Sequence, residues 1–192
     1  MNVPNAITTV RIILVPVVCV FYLLGFAYSQ LIATGIFILA AFTDFLDGHV
    51  ARKYNLVTDL GKFLDLVADK VLIISVFFLL TYQSPDEFRL YFLIGALLVN
   101  ARELIIGAFR QVAAGKSVIL AADRLGKLKM LMQCVSVPIL MAAAQLTELL
   151  NISVNYFYIP GLALFGVSVI LAVVSGVNYI AKNKRVFAAK DN

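Results

Sequence analysis

Apolar residues fall into six runs along the chain, separated by short polar breaks. The first run covers residues 12–24, led in by a short interfacial segment at 5–9, and a polar turn at 25–30 follows. The second begins at 31, stays apolar to 42 and continues through an acidic stretch to Arg52, where Tyr54-Asn55 breaks it. Thr58 or Asp59 can cap a third helix, because a short oxygen-bearing side chain accepts from the exposed N–H groups of a first turn. That helix holds Asp65 and Asp69 and is wholly apolar from 71 to 80. A loop at 83–87 precedes a fourth run at 88–113, which carries Arg102, Glu103 and Arg110 in its second half. After a loop at 114–117, the fifth run spans 122–146, and Asp123 can cap it. The chain turns at 151–155, and the sixth run spans 158–180 before a basic tail that begins Lys182-Asn-Lys-Arg. No internal repeat or low-complexity segment interrupts the series. The pattern predicts an all-α, polytopic membrane protein with six transmembrane helices in a single domain, residues 1–192.

Composition points the same way. The chain is 62% hydrophobic and 14% charged, against about 25% charged in a soluble domain. At roughly 20 apolar residues per span, its length holds about six helices. Arg11, Arg52, Lys53, Lys62, Arg110, Lys116, Arg124, Lys127, Lys129 and the C-terminal cluster all fall on one side of the predicted bundle. The opposite loops hold only Arg89. Lysine and arginine stay with the cytoplasmic loops, so both termini and the acidic stretch are expected to be cytoplasmic. For any single cation, a topology signal or a lipid-headgroup contact is an equally good reading. Nucleic acid is not an expected partner, since nothing here is a soluble basic domain. Cys19 and Cys134 both lie within apolar runs, which fits buried filler better than a disulfide or a zinc site. His49 is the single histidine, which argues against a His-based metal cluster or a Ser-His-Asp triad. The N-terminus lacks a basic segment before its apolar run and is expected to belong to the mature protein. A bacterial cell membrane is the expected location.

Residues 43–70 concentrate the chemistry. They contain Asp44, Asp47, Asp59, Asp65 and Asp69, five of the eleven carboxylates. A carboxylate at bilayer depth costs about 2.5–3.5 kcal/mol on the insertion scale, so several together need bound cations or a water-filled cavity. Asp44 and Asp47 are three apart and Asp65 and Asp69 four apart, which puts each pair on one face of its helix. The short connection at 54–58 makes the two helices antiparallel neighbours, and the four carboxylates can converge. An all-oxygen set selects a hard cation, Mg²⁺ or Mn²⁺, before zinc. Four carboxylates exceed the needs of one Mg²⁺, so two ions are expected. Gly48 and Gly61 leave bare helix where a ligand can approach the backbone, and Arg52 offers a planar fork for phosphate oxygens. Together these point to a pyrophosphate site. The alternative is a membrane pathway in which the aspartates relay Na⁺ or H⁺. A pathway needs acids spread through the bilayer, whereas these gather near one end.

The spacing Asp44-x2-Asp47-Gly48-x2-Ala51-Arg52-x8-Gly61-x3-Asp65-x3-Asp69 resembles the signature of the CDP-alcohol phosphatidyltransferases at every fixed position. Further likeness lies in Asn5-Ala-Ile-Thr-Thr-Val-Arg11, Ala101-Arg-Glu-Leu and Leu125-Gly-Lys-Leu-Lys, so that it extends to about residue 133. The resemblance implies a six-helix membrane enzyme, a homodimer, that displaces CMP from a CDP-linked lipid with an alcohol. It implies that Asp44, Asp47 and Asp65 bind metal, that Asp69 both contacts metal and acts as general base, and that Gly48, Ala51, Arg52 and Gly61 line the CDP pocket. Within the family, the chain is most similar to members that pass a phosphatidyl group from CDP-diacylglycerol to sn-glycerol 3-phosphate. Inositol phosphate, serine and phosphatidylglycerol remain alternative acceptors, and a cation transporter or a non-catalytic lipid-binding scaffold are readings of another class. An acceptor with its own phosphate needs cations. Arg110, Arg124, Lys127 and Lys129 are the candidates, with Arg110 and Lys127 foremost. Arg102 and Glu103 are expected to form a structural pair or to brace the acidic cluster, and Lys70 to balance charge beside Asp69.

Overall fold

The computed structural model describes residues 3–53, 59–116, 118, 120 and 124–184. Within the helices, it describes all side chains except those of 3–5, 44–53, 59, 60, 62, 65, 66, 69 and 124. The described chain folds into six helices: α1 (Val3–Leu23), α2 (Ser29–Lys53), α3 (Asp59–Gln83), α4 (Asp86–Gly115), α5 (Arg124–Leu150) and α6 (Asn155–Asn183). Number and order match the hydrophobic pattern; the ends do not. The segment at 5–9 is part of α1 rather than a separate interfacial piece. Thr8 within it and Arg11 just beyond it are both buried. Asp59 is the first residue of α3, and its companion cap candidate, Thr58, lies outside the described residues, as does Asp123.

Local chemistry explains the connections. Gly25 and Tyr28 take positive φ, 65° and 68°, to reverse the chain between α1 and α2. Asn151, with φ 52°, ends α5 in the left-handed conformation that asparagine tolerates. Its N–H donates to the Glu148 carbonyl and that of Ile152 to the Thr147 carbonyl, closing the helix with two otherwise orphaned acceptors satisfied. Asp86 and Glu87 occupy the first turn of α4, where negative charge complements the helix dipole.

The helices pack as a closed ring, α1–α2–α5–α6–α4–α3 and back to α1, with α3 also touching α5 across the middle. Aromatic rings fill part of the interior. Phe165 of α6 meets Phe77 of α3 edge-on at 5.5 Å and Phe92 of α4 at 5.4 Å. Gly95 makes this approach possible, since a Cβ there would sit 2.5 Å from the Phe165 ring. Gly161 does the same for α6 against Leu140 of α5. Small residues at crossings let membrane helices come close where no hydrophobic drive operates between them. The outer surface is apolar, including Leu90, Ile94 and Leu97 on α4 and Ile159, Ile170 and Val177 on α6. Among the described residues, four helices are long and apolar enough to cross a membrane: Ala6–Leu23, Asp86–Gly115, Leu125–Leu150 and Asn155–Asn183. The apolar parts of α2 and α3, Ser29–Thr43 and Lys70–Gln83, are shorter because the remainder carries the acidic stretch. The chain is a multi-pass membrane protein.

Candidate active site

One hydrogen bond sets the register of the two acidic helices. At the end of the ring that holds the α1–α2, α3–α4 and α5–α6 connections, Gln30 of α2 donates to Gln83 of α3 at 2.6 Å. Gln83 in turn donates to the Tyr22 carbonyl at 3.2 Å. From this tie, Asp44 lies fourteen residues along α2 and Asp69 fourteen residues back along α3, about 21 Å in each case. Asp47 and Asp65 are seventeen and eighteen residues away, about 26 Å. Counted along the helices from this tie, the two pairs fall at similar levels. However, α2 and α3 each pack mainly on α1 rather than as the direct neighbours that the short 54–58 connection suggests. The side chains of Asp44, Asp47, Ala51, Arg52, Asp65 and Asp69, and the surroundings of Gly48 and His49, lie outside the described residues. Gly61 is part-buried near the start of α3.

Beside these segments lies a cavity of about 250 Å³ bounded by α1 to α5. Ala41, one turn before Asp44, and Lys70, next to Asp69, both line it. So do Arg11, Phe37, Leu72, Ile73, Val99, Arg102, Glu103, Arg110, Gly126, Lys127, Lys129, Met130, Gln133 and Cys134. Six of these residues are cationic and one is a carboxylate. Glu103 accepts from Lys129 at 2.6 Å and from its neighbour Arg102 at 2.9 Å, which joins α4 to α5. Arg102 also donates to Ser175 Oγ of α6 at 3.0 Å. Its side chain passes between two glycines: a Cβ on Gly176 would meet Arg102 Cγ at 3.0 Å, and one on Gly126 would meet Nη2 at 3.2 Å. Arg110 donates to the Tyr179 hydroxyl at 3.1 Å and lies over that ring at 5.2 Å. Lys70 reaches α4 where Gly107 leaves room, its Nζ being 2.8 Å from where a Cβ would stand.

Arg110 and Lys127, the foremost acceptor candidates, are thus on one cavity wall with Lys129. Lys129 differs from them: it is 7% exposed and engaged by Glu103. The side chain of Arg124 lies outside the described residues. Arg102 and Glu103 do pair, with Lys129 as a third member. Cys134 is exposed and borders the cavity, so it is not buried filler. Arg11, Lys70 and Gln133 complete the polar lining among the described residues. Sequence reasoning gave none of these three a place in a substrate pocket, although Arg11 lay in a motif and Lys70 beside Asp69.

The sequence pattern that defines the CDP-alcohol phosphatidyltransferases matches residues 1–178. The chain belongs to that family. Similar proteins include one from Rickettsia typhi, 33% identical over 187 residues, covering 97% of this chain and 99% of its own. Another, from Salmonella choleraesuis, is 37% identical over 182 residues, covering 94% and 93%. A third, from Bacillus subtilis, is 36% identical over 194 aligned positions, covering 95% of both. Each is named CDP-diacylglycerol–glycerol-3-phosphate 3-phosphatidyltransferase. In this phosphatidyltransferase the acidic segments belong to α2 and α3, and the cationic cavity adjoins them.

Proposed function

We propose that the protein transfers the phosphatidyl group of CDP-diacylglycerol to sn-glycerol 3-phosphate, giving phosphatidylglycerophosphate and CMP. The observation that carries this reading is the cationic cavity, set against the similar acidic levels of α2 and α3. A phosphate monoester carries nearly two negative charges at neutral pH, and a wall with six cations and one carboxylate suits it. An acceptor without its own phosphate would make less use of these cations. The names of the three relatives agree with this acceptor.

Asp44, Asp47, Asp65 and Asp69 form an all-oxygen donor set that fits Mg²⁺ or Mn²⁺, two ions in this reading. Bound there, the ions would neutralise the pyrophosphate and stabilise departing CMP. Gly48, Ala51, Arg52 and Gly61 hold the CDP moiety. Arg110 and Lys127 clamp the acceptor phosphate, with Arg124 and Lys129 in support, and so turn its 1-hydroxyl toward the acidic segments. The hydroxyl oxygen bonds to the lipid-linked phosphorus as the anhydride bond to CMP breaks, and Asp69 takes the proton. Six spans, both termini and the active site in the cytoplasm, a cell-membrane location and a homodimer complete the reading.

Purified protein given CDP-diacylglycerol, labelled sn-glycerol 3-phosphate and Mg²⁺ is expected to release CMP and one labelled phospholipid. Unlabelled inositol phosphate, serine and phosphatidylglycerol are expected to compete poorly. Absence of CMP release overturns the reaction, and a better competitor overturns the acceptor.

A further inference from the structure

Gln133 lies on α5 six residues beyond Lys127, about 9 Å further along the helix axis. It lines the same cavity, as do the apolar Phe37, Ile73 and Val99. Only 4% of Gln133 is exposed, yet its Nε2 has no hydrogen-bond partner among the described residues. Buried side-chain donors in native proteins are paired with few exceptions, and an unpaired one on a cavity wall calls for an acceptor from outside the chain. The charged groups nearby are paired with one another: Glu103 accepts from both Arg102 and Lys129.

We infer that Gln133 is a specificity-determining residue that donates from Nε2 to the middle hydroxyl of a three-carbon polyol phosphate. The inference rests on the cavity being the acceptor site. Such an acceptor has three polar features, and two already have places: the phosphate with Arg110 and Lys127, the reacting hydroxyl toward α2 and α3. The middle hydroxyl is left. It is neutral, and an amide in a mainly apolar setting suits a neutral oxygen better than a dianion, which the cations draw to themselves. An acceptor that lacks this hydroxyl leaves the buried N–H unpaired, which is how polar sites reject deoxy analogues.

The test compares sn-glycerol 3-phosphate with 3-hydroxypropyl phosphate, the same skeleton without the middle hydroxyl, on the full-length protein with CDP-diacylglycerol. The wild type is expected to favour the natural acceptor by about tenfold in kcat/KM, the scale of one neutral hydrogen bond with its desolvation. Gln133→Leu is expected to lose that preference by slowing the natural acceptor while leaving the deoxy analogue and the KM for CDP-diacylglycerol unchanged. Gln133→Met, closer in length and shape, serves if the leucine variant does not fold. A preference that survives either substitution overturns the role of Gln133 and leaves the proposed reaction standing. A wild type that releases no CMP with either acceptor overturns both.

Discussion

The two ends of the helical ring solve their polar problems in opposite ways. At the end with the α1–α2, α3–α4 and α5–α6 connections, neutral glutamines satisfy the chain's own backbone. Gln145 accepts from the Leu31 N–H at 3.0 Å and donates to the Phe26 carbonyl at 3.3 Å, while Gln83 bridges Gln30 and the Tyr22 carbonyl. Toward the other end, the polar groups are ionic: among the described residues, six cationic side chains and one carboxylate line a cavity. A neutral tie is complete once made, and each contributes about 1 kcal/mol. Cations gathered on a cavity wall favour a ligand of the opposite sign, because the attraction is stronger there than in bulk water. The first end serves cohesion, and the second, in the proposed reading, receives an anion.

Five single substitutions and one double variant probe that contrast. Asp69→Asn removes the proposed proton acceptor at matched volume. The expected result is a fall in CMP release of about 10³-fold, with an unchanged melting temperature in detergent. Glu103→Ala leaves Lys129 buried and Arg102 half-paired, and is expected to lower stability by about 3 kcal/mol, the range for breaking a buried pair. Thermal unfolding measures this, and adding Lys129→Met is expected to recover part of the loss; a second substitution that only worsens stability would show that Glu103 does not act through Lys129. Arg110→Ala and Lys127→Ala are each expected to raise the KM for the acceptor phosphate by about tenfold or more. The KM for CDP-diacylglycerol serves as the internal control, and equal rises in both would dissolve the clamp. Gln145→Leu, at the neutral end, is expected to cost about 1 kcal/mol of stability with no change in either KM. Any kinetic effect from that end would erase the division between the two.

Much of this division was legible in the sequence. Six apolar runs gave six helices, and the acidic spacing placed the carboxylates on α2 and α3. Arg110 and Lys127 were named as a pair from charge and position alone, and they share a wall. The misses have a common physical cause. Thr8, Thr9 and Arg11 broke an apolar run and so made residues 5–9 look like a separate surface segment. In a bundle surrounded by lipid, polar residues turn inward, and Thr8 and Arg11 are among the buried ones. Glu103 and Lys129 are twenty-six residues apart, on different helices, and no local spacing announces their contact. The place of Lys70 depends on a gap at Gly107 that exists only once α3 and α4 are packed. Gln133 was one amide inside an apolar run, with nothing in its neighbours to distinguish it.

The sequence reading took little from α6 beyond its apolar pattern, and α6 contributes no residue to the cavity wall. Yet Ser175 and Tyr179 hold Arg102 and Arg110, two of the arginines that do. Because translation proceeds from the N-terminus, every wall residue exists before either of these anchors has been made. A nascent chain would thus own all of its binding groups while two of the largest still swing free, and competence would arrive only as the final helix docks.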